Sequence, residues 1–197
     1  MTEPAEWTGM DRIMMNFRNI PDVLATLALL ATLFSGCTKQ SLETSYNNQE
    51  TKIDNYISAL VTKDSIRVVH NAGAHRAVLV EGEGEPLSNK GSVAFYYAGY
   101  VFNGNISSSN LFATNHEPTA TSSSFNAPGF PLEVRIEDMS DSQLLKGLYN
   151  GLVGVQAGEE CVILFSGKYG FGKKAVGTIP ANSALAYHIW VESINND

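Results

Sequence analysis

Hydrophobic and polar positions change their rhythm three times along this chain. Val23–Phe34 is a continuous apolar stretch of 12 residues, followed by the polar span 38–50. Ile53, Tyr56, Ile57, Leu60 and Val61 then fall at the i, i+3, i+4, i+7 spacing of an amphipathic helix that packs on the following domain. From Ile66 the pattern becomes short β-type runs punctuated by Gly, Asn and Pro. It predicts strands over Ile66–His70, Ala77–Glu81, Ser92–Phe102, Leu132–Ile136, Cys161–Ser166 and Ala184–Ile194. One helix interrupts them, over Leu144–Val153, with Ser140–Gln143 as a capping box ahead of it. Asn103–Asn126, rich in Ser and Asn, reads as one long loop. Many strands with one central helix predict an α+β domain built on an antiparallel sheet.

The apolar stretch at 23–34 is shorter than the ~20 residues of a spanning helix but suits a signal peptide. Leu33-Phe34-Ser35-Gly36-Cys37 resembles a bacterial lipobox, in which small residues admit the peptidase and the thiol is then acylated. The acidic residues before Met14 are foreign to such a signal, so translation is expected to start at Met10, Met14 or Met15. The expected organisation is a signal peptide over 1–36, a tether over 37–50, an N-terminal helix and hairpin extension over 51–90, and the main domain over 91–197. Cys37 is the expected lipid anchor, placing the chain in a bacterial cell envelope, at the outer membrane in preference to the inner.

Composition narrows the chemistry. A net charge of −7 over 197 residues argues against a nucleic-acid partner. From Cys37 onward 11 Lys and Arg stand against 16 Asp and Glu, a net −5, so the processed chain is no better suited to one. The two cysteines, Cys37 and Cys161, form neither a disulfide framework nor a zinc site, and Cys161 reads as a buried strand residue. Gly167–Lys173 imitates a phosphate loop, but Lys174 stands where a Ser or Thr would hold magnesium, and no helix is predicted to follow. His70 and His75 read as solvent-facing residues beside a turn, and His188 as an outward or rim residue. Glu81–Pro86 fits an exposed connection, and the serine clusters Ser107–Ser109 and Ser122–Ser124 fit solvated loop.

Three stretches carry a family resemblance: Val93–Tyr100 with its Tyr97-Ala98-Gly99, Leu144–Gly158, and Tyr169–Gly172 with Gly177–Leu185. In this order they are similar to the FKBP-type peptidyl-prolyl isomerases. The resemblance covers residues 91–194 and implies an antiparallel sheet wrapped around one helix. It also implies a proline pocket walled by Tyr97, Phe112, Leu132, Leu144, Leu145, Leu148, Phe171, Ile179 and Tyr187, with Ala113 at its edge. Taken singly, each of these apolar residues reads as core; only their joint order points to a pocket. Leu148 stands where the family has its tryptophan floor, Ala113 where it has an aspartate, and Phe171 where it has a tyrosine. The backbone N–H of Leu145 matches the family's donor to a substrate carbonyl. The implied activity is a weak or specialised isomerase acting on X–Pro bonds of envelope proteins, with no cofactor and no metal. The alternative is a non-catalytic peptide-binding or chaperone module. The oligomeric state stays open.

Overall fold

The computed structural model describes residues 20–126 and 131–197, with side chains from residue 39 onward. Contacts divide the chain into two units, Met1–Leu42 and Glu43–Asp197. In the first unit the described residues belong to α1 (Ile20–Asp64). The side chains of the apolar stretch and of Cys37 lie outside the described residues, as does all of 1–19. Among the described residues no helix is long and apolar enough to cross a membrane.

The second unit is built on seven antiparallel strands: β1 (Arg67–Asn71), β2 (Ala74–Val80), β3 (Ser92–Phe102), β4 (Leu111–Thr114), β5 (Arg135–Asp138), β6 (Glu160–Phe165) and β7 (Ala184–Asn195). Their order is β1-β2-β6-β7-β3-β4, with β5 also paired to β3. Two further helices, α2 (Glu117–Ser123) and α3 (Lys146–Leu152), complete it.

Both faces of the central strands are covered, which explains the unbroken apolar run Cys161–Phe165 in β6. Cys161, Ile163 and Phe165 face inward with Phe95, Leu185, Tyr187 and Ile189, and meet Leu148 and Leu152 of α3. Val162 and Leu164 face the other way, with Phe102, Ala184 and Ala186, under Ile53 and Ile57 of α1. The Tyr56 ring meets Phe102 edge-on at 5.4 Å. Burial holds the Cys161 thiol well above its usual pKa, so it stays protonated. The span Ser92–Phe102 expected for β3 is the one observed; β6 and β7 differ from expectation by single terminal residues.

Four expectations need correction. The span 37–50, expected as an irregular polar segment, is helical. Within the second unit Tyr46 and Gln49 bond Asn182, Gln49 accepts from the Gly167 N–H, and Glu50 pairs with His75, so these polar residues have ordered partners. The loop 103–126 contains β4 and α2: Ser107 caps a 3-10 turn at Ser108–Asn110, and Pro118 sits in the first turn of α2, where its missing N–H costs nothing. The strand expected over 132–136 is β5, shifted to Arg135–Asp138. Finally, α3 starts at Lys146 with Leu145 as its N-cap and no side-chain cap, so Ser140–Gln143 is no capping box.

Candidate functional site: an apolar hollow between β3 and α3

Tyr187 is the centre of the site. Inward on β7 and 7% exposed, its ring lies 6.2 Å from Tyr97, 5.8 Å edge-on from Phe112 and 6.0 Å in parallel stack from Phe165. β3 carries Tyr97 and Phe95 on the same inner face, two residues apart as strand alternation requires. Gly99 follows them; a Cβ there would stand 2.7 Å from the Phe112 ring, so the glycine lets β4 bring Phe112 against Tyr187. α3 presses on the sheet from below through Gly147, whose missing side chain leaves the space occupied by the Phe165 ring.

These elements enclose a hollow of ≈ 230 Å³, lined by Phe95, Tyr97, Ala113, Arg135, Gln143, Leu144, Leu145, Leu148, Phe171 and Tyr187. Its size is below the roughly 300–1,000 Å³ of drug-sized sites, as suits one ring with its flanking atoms. Burial raises the pKa of Tyr97 and of Tyr187, so both hydroxyls are neutral and available as donors at physiological pH. The Leu145 N–H, at the uncapped start of α3, has no acceptor among the described residues.

Of the residues expected at a pocket, Tyr97, Ala113, Leu144, Leu145, Leu148, Phe171 and Tyr187 come together on this hollow. Phe112 stands behind Tyr187 as its edge-on support. Ile179 is 5% exposed within the core cluster, and its neighbours Thr178 and Pro180 line a second hollow with Leu111. Leu132 does not take part: it is 47% exposed, and the wall is supplied instead by Arg135, which pairs with Phe95. Phe95, Arg135 and Gln143 join the site without having been expected there. The alternation from Tyr97 signals Phe95; for Arg135 the alternation of Glu133, Arg135 and Glu137 against Leu132, Val134 and Ile136 gives two faces, and only the pairing with β3 says which is inner.

Asn115 is a further residue with no sequence signal. It is 5% exposed, and its side chain fills the gap between β4 and β5 along β3. It accepts from the Tyr97 N–H at 2.6 Å and donates to the carbonyls of Phe95 (3.3 Å) and Glu133 (2.8 Å). Thr114 Oγ1 donates to the Tyr97 carbonyl at 2.7 Å, so both backbone groups of Tyr97 are held.

His70 and His75 face each other across the β1–β2 hairpin with Nδ1 atoms 2.9 Å apart, and His75 also meets Glu50. His188 lies on the outer face, bonded to Glu160 at 2.7 Å and stacked on Trp190.

The second unit is thus a sheet closed over a short helix, with a hollow of rings and branched side chains where they meet. Residues 84–192, more than half of the chain, match the family model described as FKBP-type peptidyl-prolyl cis-trans isomerase, and the chain belongs to that family. It is 27% identical over 124 residues to FK506-binding protein 1 of Aspergillus oryzae, covering 62% of this chain and 99% of that one. The fold resembles the crystal structure of FkpA from Escherichia coli, with TM-score 0.53 and 16% identity over 89% of this chain and 73% of that chain. It also resembles a peptidyl-prolyl cis-trans isomerase from Pseudomonas syringae pv. tomato, with TM-score 0.53 and 15% identity over 78% and 96%.

Proposed function

We propose that the hollow between β3 and α3 receives a prolyl ring and accelerates rotation about the preceding peptide bond, slowly or on a narrow set of substrates. Resonance sets a barrier of about 18–20 kcal/mol on that rotation, while the cis and trans forms of X–Pro differ by only ~1 kcal/mol. A catalyst therefore has to hold the twisted amide better than either planar form. Twisting removes the resonance and much of the carbonyl dipole, so the transition state loses less than the ground state on leaving water. A dry wall of Tyr97, Leu148, Phe171 and Tyr187 favours it, and the Leu145 N–H is positioned to hold a substrate carbonyl. No nucleophile, acid or metal enters this step. The observation that carries the reading is the convergence of these side chains, remote in sequence, on one opening beside the uncapped start of α3.

Three residues favour a second reading, a module that binds prolyl segments without turnover. Leu148 makes a smaller floor than tryptophan, Ala113 supplies no carboxylate, and Phe171 supplies no hydroxyl. Phe171→Tyr separates the two readings. One hydrogen bond contributes about 1 kcal/mol net, so the variant is expected to gain several-fold in kcat/KM on a prolyl peptide. A folded variant whose only gain is in peptide affinity supports the binding module, and no change in either displaces Phe171 from the site.

The same proposal sets the protein in a bacterial envelope, at the outer membrane, held by acyl chains on Cys37 and acting on envelope proteins. Each buried methylene of such chains contributes about 0.8 kcal/mol, so several chains anchor stably. Metabolic labelling with a palmitate analogue is expected to mark the wild-type chain and not Cys37→Ala. Equal labelling of the two would rule the anchor out.

A further inference from the structure

On β5, Ile136 is 72% exposed and Glu137 8% exposed, while the Arg135 side chain, 43% exposed, stays open to solvent. Arg135 faces Phe95 across the β3 pairing and reaches the hollow, where it is the only charged residue on the wall among the described residues. The arginine is thus half open to solvent at the rim, with its charge on the wall of the hollow.

The guanidinium is held from one side. Its Nε and Nη2 donate to the same oxygen of Glu137, Oε2, at 3.0 and 2.7 Å. The other oxygen, Oε1, accepts from Ser142 Oγ at 2.7 Å, so Glu137 is itself fixed and 8% exposed. A guanidinium has five donors, and this arrangement uses two of them. Nη1 has no partner among the described residues. Ala113 lines the same hollow, at the place where the family resemblance puts an aspartate, so no carboxylate stands there. Gln143 adds a neutral amide to the same rim. Arg135 also lowers the pKa of the nearby Tyr97 and Tyr187 hydroxyls, against the larger effect of burial, so its charge is felt within the hollow despite Glu137.

Resting on the reading of the hollow as a prolyl site, we infer that Arg135 makes it selective for prolyl segments with an acidic side chain beside the proline. A carboxylate reaching the free edge of the guanidinium makes charge-assisted hydrogen bonds, about twice as strong as neutral ones, in a geometry lysine cannot copy. An aliphatic side chain in the same place would leave that edge to water.

The test uses the full chain in detergent with four peptides of one length, bearing Glu-Pro, Pro-Glu, Leu-Pro and Lys-Pro, in a protease-free exchange assay. The expected result is that kcat/KM for one of the two Glu peptides exceeds that for Leu-Pro by about threefold, with Lys-Pro lowest. Arg135→Gln should remove the preference and Arg135→Lys keep part of it. Ala113→Asp, which offers the guanidinium an internal carboxylate, should abolish it by a second route. Turnover of Leu-Pro equal to that of both Glu peptides overturns the selectivity and leaves the isomerase reading standing, as does a Glu preference that survives Arg135→Gln. If no peptide is turned over, the isomerase reading falls and calorimetric binding decides the selectivity. Tighter binding of a Glu peptide that is lost in Arg135→Gln supports it; equal or undetectable binding of all four overturns it.

Discussion

Arg76→Met is expected to lower folding stability by about 3–5 kcal/mol, a large part of the 5–15 kcal/mol of a typical domain. Arg76 is 3% exposed on β2 and donates to the carbonyls of Gly151 (3.1 Å), Val153 (3.3 Å) and Gly154 (3.0 Å), at the end of α3 where helix carbonyls lack partners. Its Nε is 3.3 Å from Glu159 Oε1, as an ion pair without hydrogen-bond geometry, and Glu159 is 1% exposed. Removing the cation strands both the carbonyls and the carboxylate. Burial already raises the pKa of Glu159 against the opposing effect of Arg76, and in the variant that opposition is gone. The folded variant then holds a proton on Glu159 that the unfolded chain gives up near the ordinary glutamate pKa of about 4.3. Stability falls with pH wherever the folded state binds more protons, so the loss should be greater at pH 8 than at pH 5. Denaturant unfolding at the two values checks the sign. Adding Glu159→Met to Arg76→Met should recover much of the loss, since a buried pair replaced as a whole costs far less than one half removed.

Gly147→Ala is expected to destabilise the fold by about 1–3 kcal/mol, although alanine is the better helix former. In an open helix the exchange would gain about 1 kcal/mol. Here the added Cβ would stand 2.2 Å from the Phe165 ring, which is fully buried and stacked on Tyr187. Relief of the clash requires either the Phe165 ring or α3 to shift, and a shift of α3 takes Leu145 and Leu148 with it. The clash outweighs the helix preference, and the expected readout is a lower unfolding midpoint together with weaker binding or turnover of prolyl peptides. An unchanged midpoint would mean that α3 does not press on β6 as closely as described.

Much of this architecture is legible in the sequence because packing and pattern agree there. β3, β6 and β7 carry long apolar runs that lie buried, and Tyr97-Ala98-Gly99 marks a strand that needs room at its glycine. The 103–126 segment is illegible for the opposite reason. α2 is polar and β4 is only four residues long, so both depend on tertiary contacts, with Asn115 standing in for a missing strand neighbour. Residues 43–50 mislead in the same way, since Tyr46, Gln49 and Glu50 find their partners far along the chain, at Asn182 and on the β1–β2 hairpin. Leu132 misleads because an apolar residue is expected to face the hollow, whereas β5 turns its apolar side to solvent.

Whether the hollow is a working prolyl site is decided by the exchange rate between cis and trans forms of a set of X–Pro peptides, with and without the full chain in detergent. Exchange is expected to be faster with the protein. That acceleration should be lost when Tyr187→Ala opens the hollow while circular dichroism shows the sheet retained. Exchange at the uncatalysed rate for every peptide, from a folded sample, would mean that the hollow does not turn prolyl bonds.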